Sequence, residues 1–174
     1  MKKIVIILSA LIIVFVSTKT TDDLIIPDDS IRIRVIANSN SSKDQIVKKI
    51  VKNKLEKEIT DLLIDVTNIE EARNILNTNM QMINECIEEA LEKNNYNTKY
   101  TVSFGYNLFP EKKYKGVIYK EGYYESVVVT LGEGEGENWW CVLFPPLCLM
   151  EADEENLEEI EYKSFIKEII DKYF

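Results

Sequence analysis

Ile31, Ile33 and Val35 alternate with Arg32, Arg34 and Ile36, the period-two pattern of a strand with one buried face. The polar run Asn38-Ser39-Asn40-Ser41 then marks a turn. From Ile46 the period changes. Ile46, Val47, Ile50, Val51, Leu55, Ile59, Leu62, Leu63 and Val66 recur at three and four residues opposite a Lys and Glu face, which predicts a long amphipathic helix. Ser41 with Asp44, or Ser42 with Gln45, supplies a capping box to open it. Thr67 with Glu70 repeats that signature. Ile69, Ala72, Ile75, Leu76, Met80, Ile83, Cys86, Ile87, Ala90 and Leu91 then form a second stripe, closed by Asn94-Asn95. The two helices are expected to form an αα-hairpin.

Beyond Asn97 the apolar residues become aromatic and β-branched: Tyr100, Val102, Phe104 and Tyr106, then 117–119, then 125–131. Gly105, Pro110, Gly116 and Gly122 punctuate these strands, which favours an antiparallel β-meander over parallel βαβ units. The first strand and the helix pair would pack on that sheet as an α+β domain. An acidic stretch from Glu151 to Glu161 leads into a short C-terminal helix with an apolar patch of Phe165, Ile166, Ile169, Ile170, Tyr173 and Phe174.

The other end of the chain reads as an address. Lys2 and Lys3 precede a run from Ile4 to Val16 that is uncharged and apolar apart from Ser9, the length of a signal-peptide core. As a helix that run spans about 20 Å, short of the roughly 30 Å bilayer core. Val16-Ser17-Thr18 is a poor cleavage site, so the residues fit both cleavage and retention as an anchor. The expected organisation is residues 1–20 as signal peptide or N-terminal membrane anchor, 21–30 as linker, 31–150 as the globular α+β domain, and 151–174 as acidic segment and C-terminal helix.

Composition then narrows the functional classes. With 174 residues, 45% hydrophobic, the chain can bury one core. Its net charge of -9 argues against a nucleic-acid partner and against docking on anionic lipid, leaving membrane association to the N-terminal segment alone. No histidine occurs, which removes the commonest general base, the commonest metal ligand and every Ser-His or Cys-His pair. No catalytic residue, metal or cofactor is expected. The 30 acidic residues are expected on solvated helix faces rather than as hydrolytic pairs.

One segment, Gly132 to Cys148, is unlike the rest. Its glycines suggest a phosphate cradle, but Glu133, Glu135 and Glu137 would repel phosphate and no Lys-Ser or Lys-Thr follows. Calcium would need an EF-hand pattern that is absent. Gly132, Gly134, Gly136 and Asn138 therefore read as a structural loop. Trp139 and Trp140 are adjacent, so a strand would turn one inward and one outward. Phe144-Pro145-Pro146 cannot continue a central strand. A Cys141–Cys148 bridge would close the turn and present Leu143, Phe144 and Pro145 as a knob, whereas reduced thiols would serve as small buried hydrophobes. Cys86, on an inner helix face, reads as packing.

The run Gly-Glu-Gly-x-Gly-x-Asn-Trp-Trp-Cys-Val-Leu-Phe-Pro-Pro-Leu-Cys at 132–148 resembles the signature of the stage II sporulation protein R family. Ile33-Arg-Val-Ile-Ala-Asn-Ser39 with Asp44-Gln45 resembles that family's second hallmark, with Arg34, Asn38, Ser39 and Asp44 as its polar members. The resemblance implies a non-enzymatic protein exported from the forespore into the space between forespore and mother-cell membranes. Its implied partner is the extracytoplasmic part of a membrane-embedded aspartic protease of the mother cell, which then processes pro-sigma-E. Trp139, Trp140, Leu143, Phe144, Pro145 and Pro146 are the expected contact residues. A secreted hydrolase and a cell-envelope structural protein are the competing readings.

Overall fold

The computed structural model describes residues 24–148 and 158–174. The expected export segment, and most of the acidic run that begins at Glu151, lie outside the described residues. In chain order the elements are β1 (Leu24–Ile25), β2 (Ile31–Ile36), α1 (Ser42–Leu63), α2 (Ile69–Thr78), α3 (Met80–Lys93), β3 (Tyr100–Phe109), β4 (Lys112–Tyr114), β5 (Val117–Tyr119), β6 (Gly122–Leu131), β7 (Asn138–Phe144) and α4 (Glu159–Tyr173). The class is α+β.

Local sequence explains the helix boundaries. Ser41 is the N-cap of α1, and its hydroxyl accepts from the Asp44 N–H. The cap of α2 is Asn68 rather than Thr67, because the Asn68 side chain accepts from Glu71 N–H one residue later than the expected pair. The second apolar stripe is carried by two helices. Asn79 is both the C-cap of α2 and the N-cap of α3, and its side-chain amide donates to the Ile75 carbonyl. Asn94 closes α3, followed by Asn95 at φ 50°, a left-handed turn that asparagine tolerates.

Strand order departs from a simple meander. The main sheet runs β3-β6-β2-β7, with β3 antiparallel to β6, β2 parallel to β6 and β7 antiparallel to β2. Thus β6 and β7, consecutive in the chain, do not pair; the N-terminal strand sits between them. Burial explains the choice. Ile31, Ile33 and Val35 pack with the apolar stripes of α1, α2 and α3 in the large core, and the opposite face of β2 is covered too. Arg32, expected at solvent, is 2% exposed and lies against the rings of Tyr124 and Phe109. A strand buried on both faces belongs inside a sheet.

Residues 24–30 are part of the fold rather than a linker. β1 pairs in parallel with β5, and β4 completes a small second sheet. Ile26 is fully buried in a second core with Val117, Val142, Leu147, Tyr162, Ile166 and Ile169. Tyr162, Ile166 and Ile169 come from α4, so the C-terminal helix is docked on the domain rather than appended to it. No described helix is long and apolar enough to cross a membrane.

Candidate functional site

The two segments singled out in the sequence meet in space. Asp44 is the hub: its carboxylate accepts from Asn38 Nδ2 at 2.8 Å, Ser39 Oγ at 2.6 Å and the Tyr96 hydroxyl at 2.6 Å. The Ser39, Tyr96 and Asn38 donors hold its pKa down at about 2, so it stays ionised at every working pH. Asn38, fixed in this way, turns its side-chain oxygen to Glu133 N–H at 2.9 Å and its carbonyl to Glu135 N–H at 3.1 Å. Gly136 N–H donates to the Ala37 carbonyl, and Glu137 N–H to Asn40 Oδ1. Gly132, at φ +57°, lets the loop pass so close that a Cβ there would lie 2.0 Å from Asn38 Oδ1. Asn38, Ser39 and Asp44 are therefore the clamp for the glycine loop, and the loop aims β7.

Among the described residues β7 is an edge strand. Adjacent Trp139 and Trp140 leave it on opposite faces, both half-buried. Lys52 Nζ lies 5.0 Å from the Trp139 ring centroid. On the other face Arg34 stacks on Trp140 at 4.4 Å, and Phe109 meets the same ring edge-on at 4.9 Å. Along this edge opens a cleft of about 600 Å³ that reaches both faces. Its described lining holds six cations, Arg32, Lys48, Lys49, Lys52, Lys112 and Lys113, and no carboxylate. In a chain of net charge -9 that concentration is out of keeping with the rest of the surface. Lys48-Lys49 and Lys112-Lys113 were visible in the sequence as pairs; their meeting depends on topology.

The proline turn does not form a knob. Leu143 and Phe144 are 4% and 2% exposed, Pro145 is buried, and only Pro146 is partly open. Leu143 and Phe144 extend the large core, and Leu147 fills the second one, because this turn lies where the two cores adjoin. The expected contact residues thus divide: Trp139 and Trp140 border the cleft, while Leu143, Phe144 and Pro145 support it from within. Cys141 and Cys148, with Cα atoms 5.7 Å apart, are joined by a disulfide beneath them. Cys86 is buried as a free thiol, and burial pushes its pKa up to about 11. Unreduced protein produced in an oxidising compartment and labelled after denaturation is expected to show one free thiol; three would remove the bridge. Among the described residues no cluster of Cys, Asp or Glu is arranged to hold a metal ion.

Comparison with known proteins adds an independent line. A family model described as stage II sporulation protein R matches residues 27–154. The protein called stage II sporulation protein R in Bacillus subtilis (strain 168) is 41% identical over 150 residues, covering 86% of this chain and 67% of that protein. No solved structure matches the chain.

Proposed function

The chain belongs to the stage II sporulation protein R family, and from that membership we propose that it is an exported sporulation signal acting on a protease. In this reading the forespore secretes it into the space between the two membranes. There it binds the extracytoplasmic part of a membrane-embedded aspartic protease of the mother cell, which then processes pro-sigma-E. The observation that carries the reading is the family match from residue 27 to 154, which spans the main sheet, the large core, the clamp and all of the cleft lining but Tyr162.

The site's chemistry suits a ligand better than a catalyst. The chain has no histidine, and the free thiol Cys86 is buried and protonated. A hydrolase acting through paired carboxylates would need them converging in a cavity, and the described lining of the cleft contains none. What the cleft offers is recognition: two tryptophans held by cation and ring contacts at an open sheet edge. A ligand activates a two-state protease only by binding its active arrangement more tightly than the inactive one. Differential contacts at Trp139 and Trp140 would supply that difference.

Membranes carrying the protease, mixed with pro-sigma-E and the purified protein, test this. Processing is expected only when both proteins are present, and Trp140→Ala is expected to lower it by about tenfold, the usual scale for a truncated aromatic hot spot. Undiminished processing by a folded Trp140→Ala protein removes the contact. Cleavage of the precursor without the protease overturns the non-enzymatic reading.

A further inference from the structure

The cleft at β7 combines three features that together specify its occupant. The outer edge of β7 has no strand partner among the described residues, so a row of backbone N–H and C=O groups is left to template an added strand. Both faces beside that edge are cationic and aromatic: Lys48, Lys49 and Lys52 with Trp139 on one, Arg32 and Lys112 with Trp140 on the other. At the inner end, Arg32 Nη2 is buried with no hydrogen-bond partner among the described residues. Its guanidinium carbon sits 3.3 Å from the Tyr124 ring centroid, and the nearby Asp28 accepts from the Tyr124 hydroxyl at 3.3 Å. A buried guanidinium with an unsatisfied N–H is an expensive arrangement that a carboxylate would relieve.

The cations differ in how far they are already engaged. Lys48 Nζ donates to Gln45 Oε1 at 2.7 Å and to the Glu137 carbonyl at 3.0 Å, and Lys52 pairs with Glu56 at 2.6 Å. Lys49 and Lys112 are exposed and form no ion pair among the described residues. Lys49 and Lys112 therefore bring positive charge to the cleft that is not ion-paired among the described residues.

We infer that this cleft binds an extended acidic segment of a partner protein, added to the free edge of β7 as a fifth strand of the main sheet. An added strand projects successive side chains to opposite faces. Because both faces at β7 carry cations, carboxylates are accepted on either face of the added strand, and small apolar side chains at the remaining positions lie against Trp139 and Trp140. A nucleic-acid strand fits less well. It has no alternating backbone N–H and C=O groups with which to pair along the free edge of β7. The inference deepens the proposed signalling role and rests on it for the identity of the partner; the binding site itself stands on the geometry.

The test uses the full chain and three acetylated, amidated heptapeptides. The first is Thr-Glu-Val-Asp-Glu-Val-Thr, the second its Gln/Asn counterpart, and the third the acidic sequence N-methylated at every backbone amide. By calorimetry the acidic peptide is expected to bind at least about tenfold more tightly than either of the others, and less tightly as salt rises. Lys49→Glu and Lys112→Glu, both at exposed positions, are each expected to weaken it about tenfold. Arg32→Met would abolish binding if the protein folds, and the two lysine variants decide the matter if it does not. Equal binding of the neutral peptide, or indifference to both lysine reversals, overturns the inference; so does equal binding of the N-methylated peptide, which cannot extend the sheet. A fourth arm replaces Glu151→Gln, Asp153→Asn, Glu154→Gln and Glu155→Gln together. Unchanged affinity is expected, whereas a tenfold gain assigns the cleft to the chain's own acidic segment and overturns the partner. Peptide binding needs no protease and processing needs no peptide, so either result can fail while the other holds.

Discussion

Phe144→Ala is expected to destabilise the protein by about 3–5 kcal/mol, as truncation of a buried phenylalanine does when the site cannot collapse. The Phe144 side chain is 2% exposed and pairs across the sheet with Ile31. Its ring meets Tyr173 of α4 edge-on, with centroids 5.3 Å apart. Alanine would leave a cavity in the large core and remove a contact that holds α4 to the sheet, so two packing surfaces suffer together. Collapse is resisted because Pro145 and Pro146 fix the backbone on one side and the β2 ladder fixes it on the other. Urea denaturation followed by tryptophan fluorescence reads the loss. Tyr123→Ala, at a side chain 72% exposed, is the control and is expected to stay within about 0.5 kcal/mol of the parent. Should Phe144→Ala cost less than about 1 kcal/mol, the residue is not core, and the exposed-knob reading returns.

That contrast shows where sequence reasoning succeeded and where it stopped. The stripes of α1, α2 and α3, the Ser41 cap and the strands after Asn97 were legible, since each rests on interactions within a few residues. Sheet order was not. Nothing local says that β2 will separate β6 from β7, because the decision depends on total burial across residues 31–144. Arg32 and Arg34 looked like a solvent face on charge alone. Their planar guanidinium groups instead stack on Tyr124 and Trp140, so a cation was absorbed into an aromatic layer. Residues 24–30 read as linker because two-residue strands carry no periodic signal, although Ile26 is fully buried.

The candidate site followed the same division. Both conspicuous segments were visible as composition, and so was the opposite facing of Trp139 and Trp140. The cationic lining was not, because Arg32, Lys48 to Lys52 and Lys112-Lys113 come from a strand, a helix and a hairpin well separated in sequence. The acidic loop carried another hidden relation: its glutamates do little in the site, while its backbone N–H groups are what Asn38 and Asn40 capture. Glycine at these positions serves close approach rather than ligand binding.

Gly136→Ala is the sharpest test of that approach, with an expected loss of about 2–3 kcal/mol. A Cβ at Gly136 would stand 2.4 Å from the Ser39 carbonyl oxygen and 2.6 Å from its carbon, so the obstruction is backbone and cannot rotate away. Nor can the loop retreat freely. Gly136 N–H donates to Ala37 O at 2.9 Å, Glu137 N–H donates to Asn40 Oδ1 at 2.7 Å, and Lys48 Nζ holds the Glu137 carbonyl at 3.0 Å. Relief therefore means opening the seam between the two motif segments, immediately before β7 begins at Asn138. Gly105→Ala, where nothing lies within 4 Å of the added carbon, is expected to be neutral or slightly stabilising because the unfolded chain loses freedom. Denaturation midpoints compare the two directly, and tryptophan emission from 139 and 140 reports whether the start of β7 has moved. Equal stability of the two variants would mean that the glycine loop is not clamped to the Ala37–Asn40 turn, and the aim of β7 would then need another source.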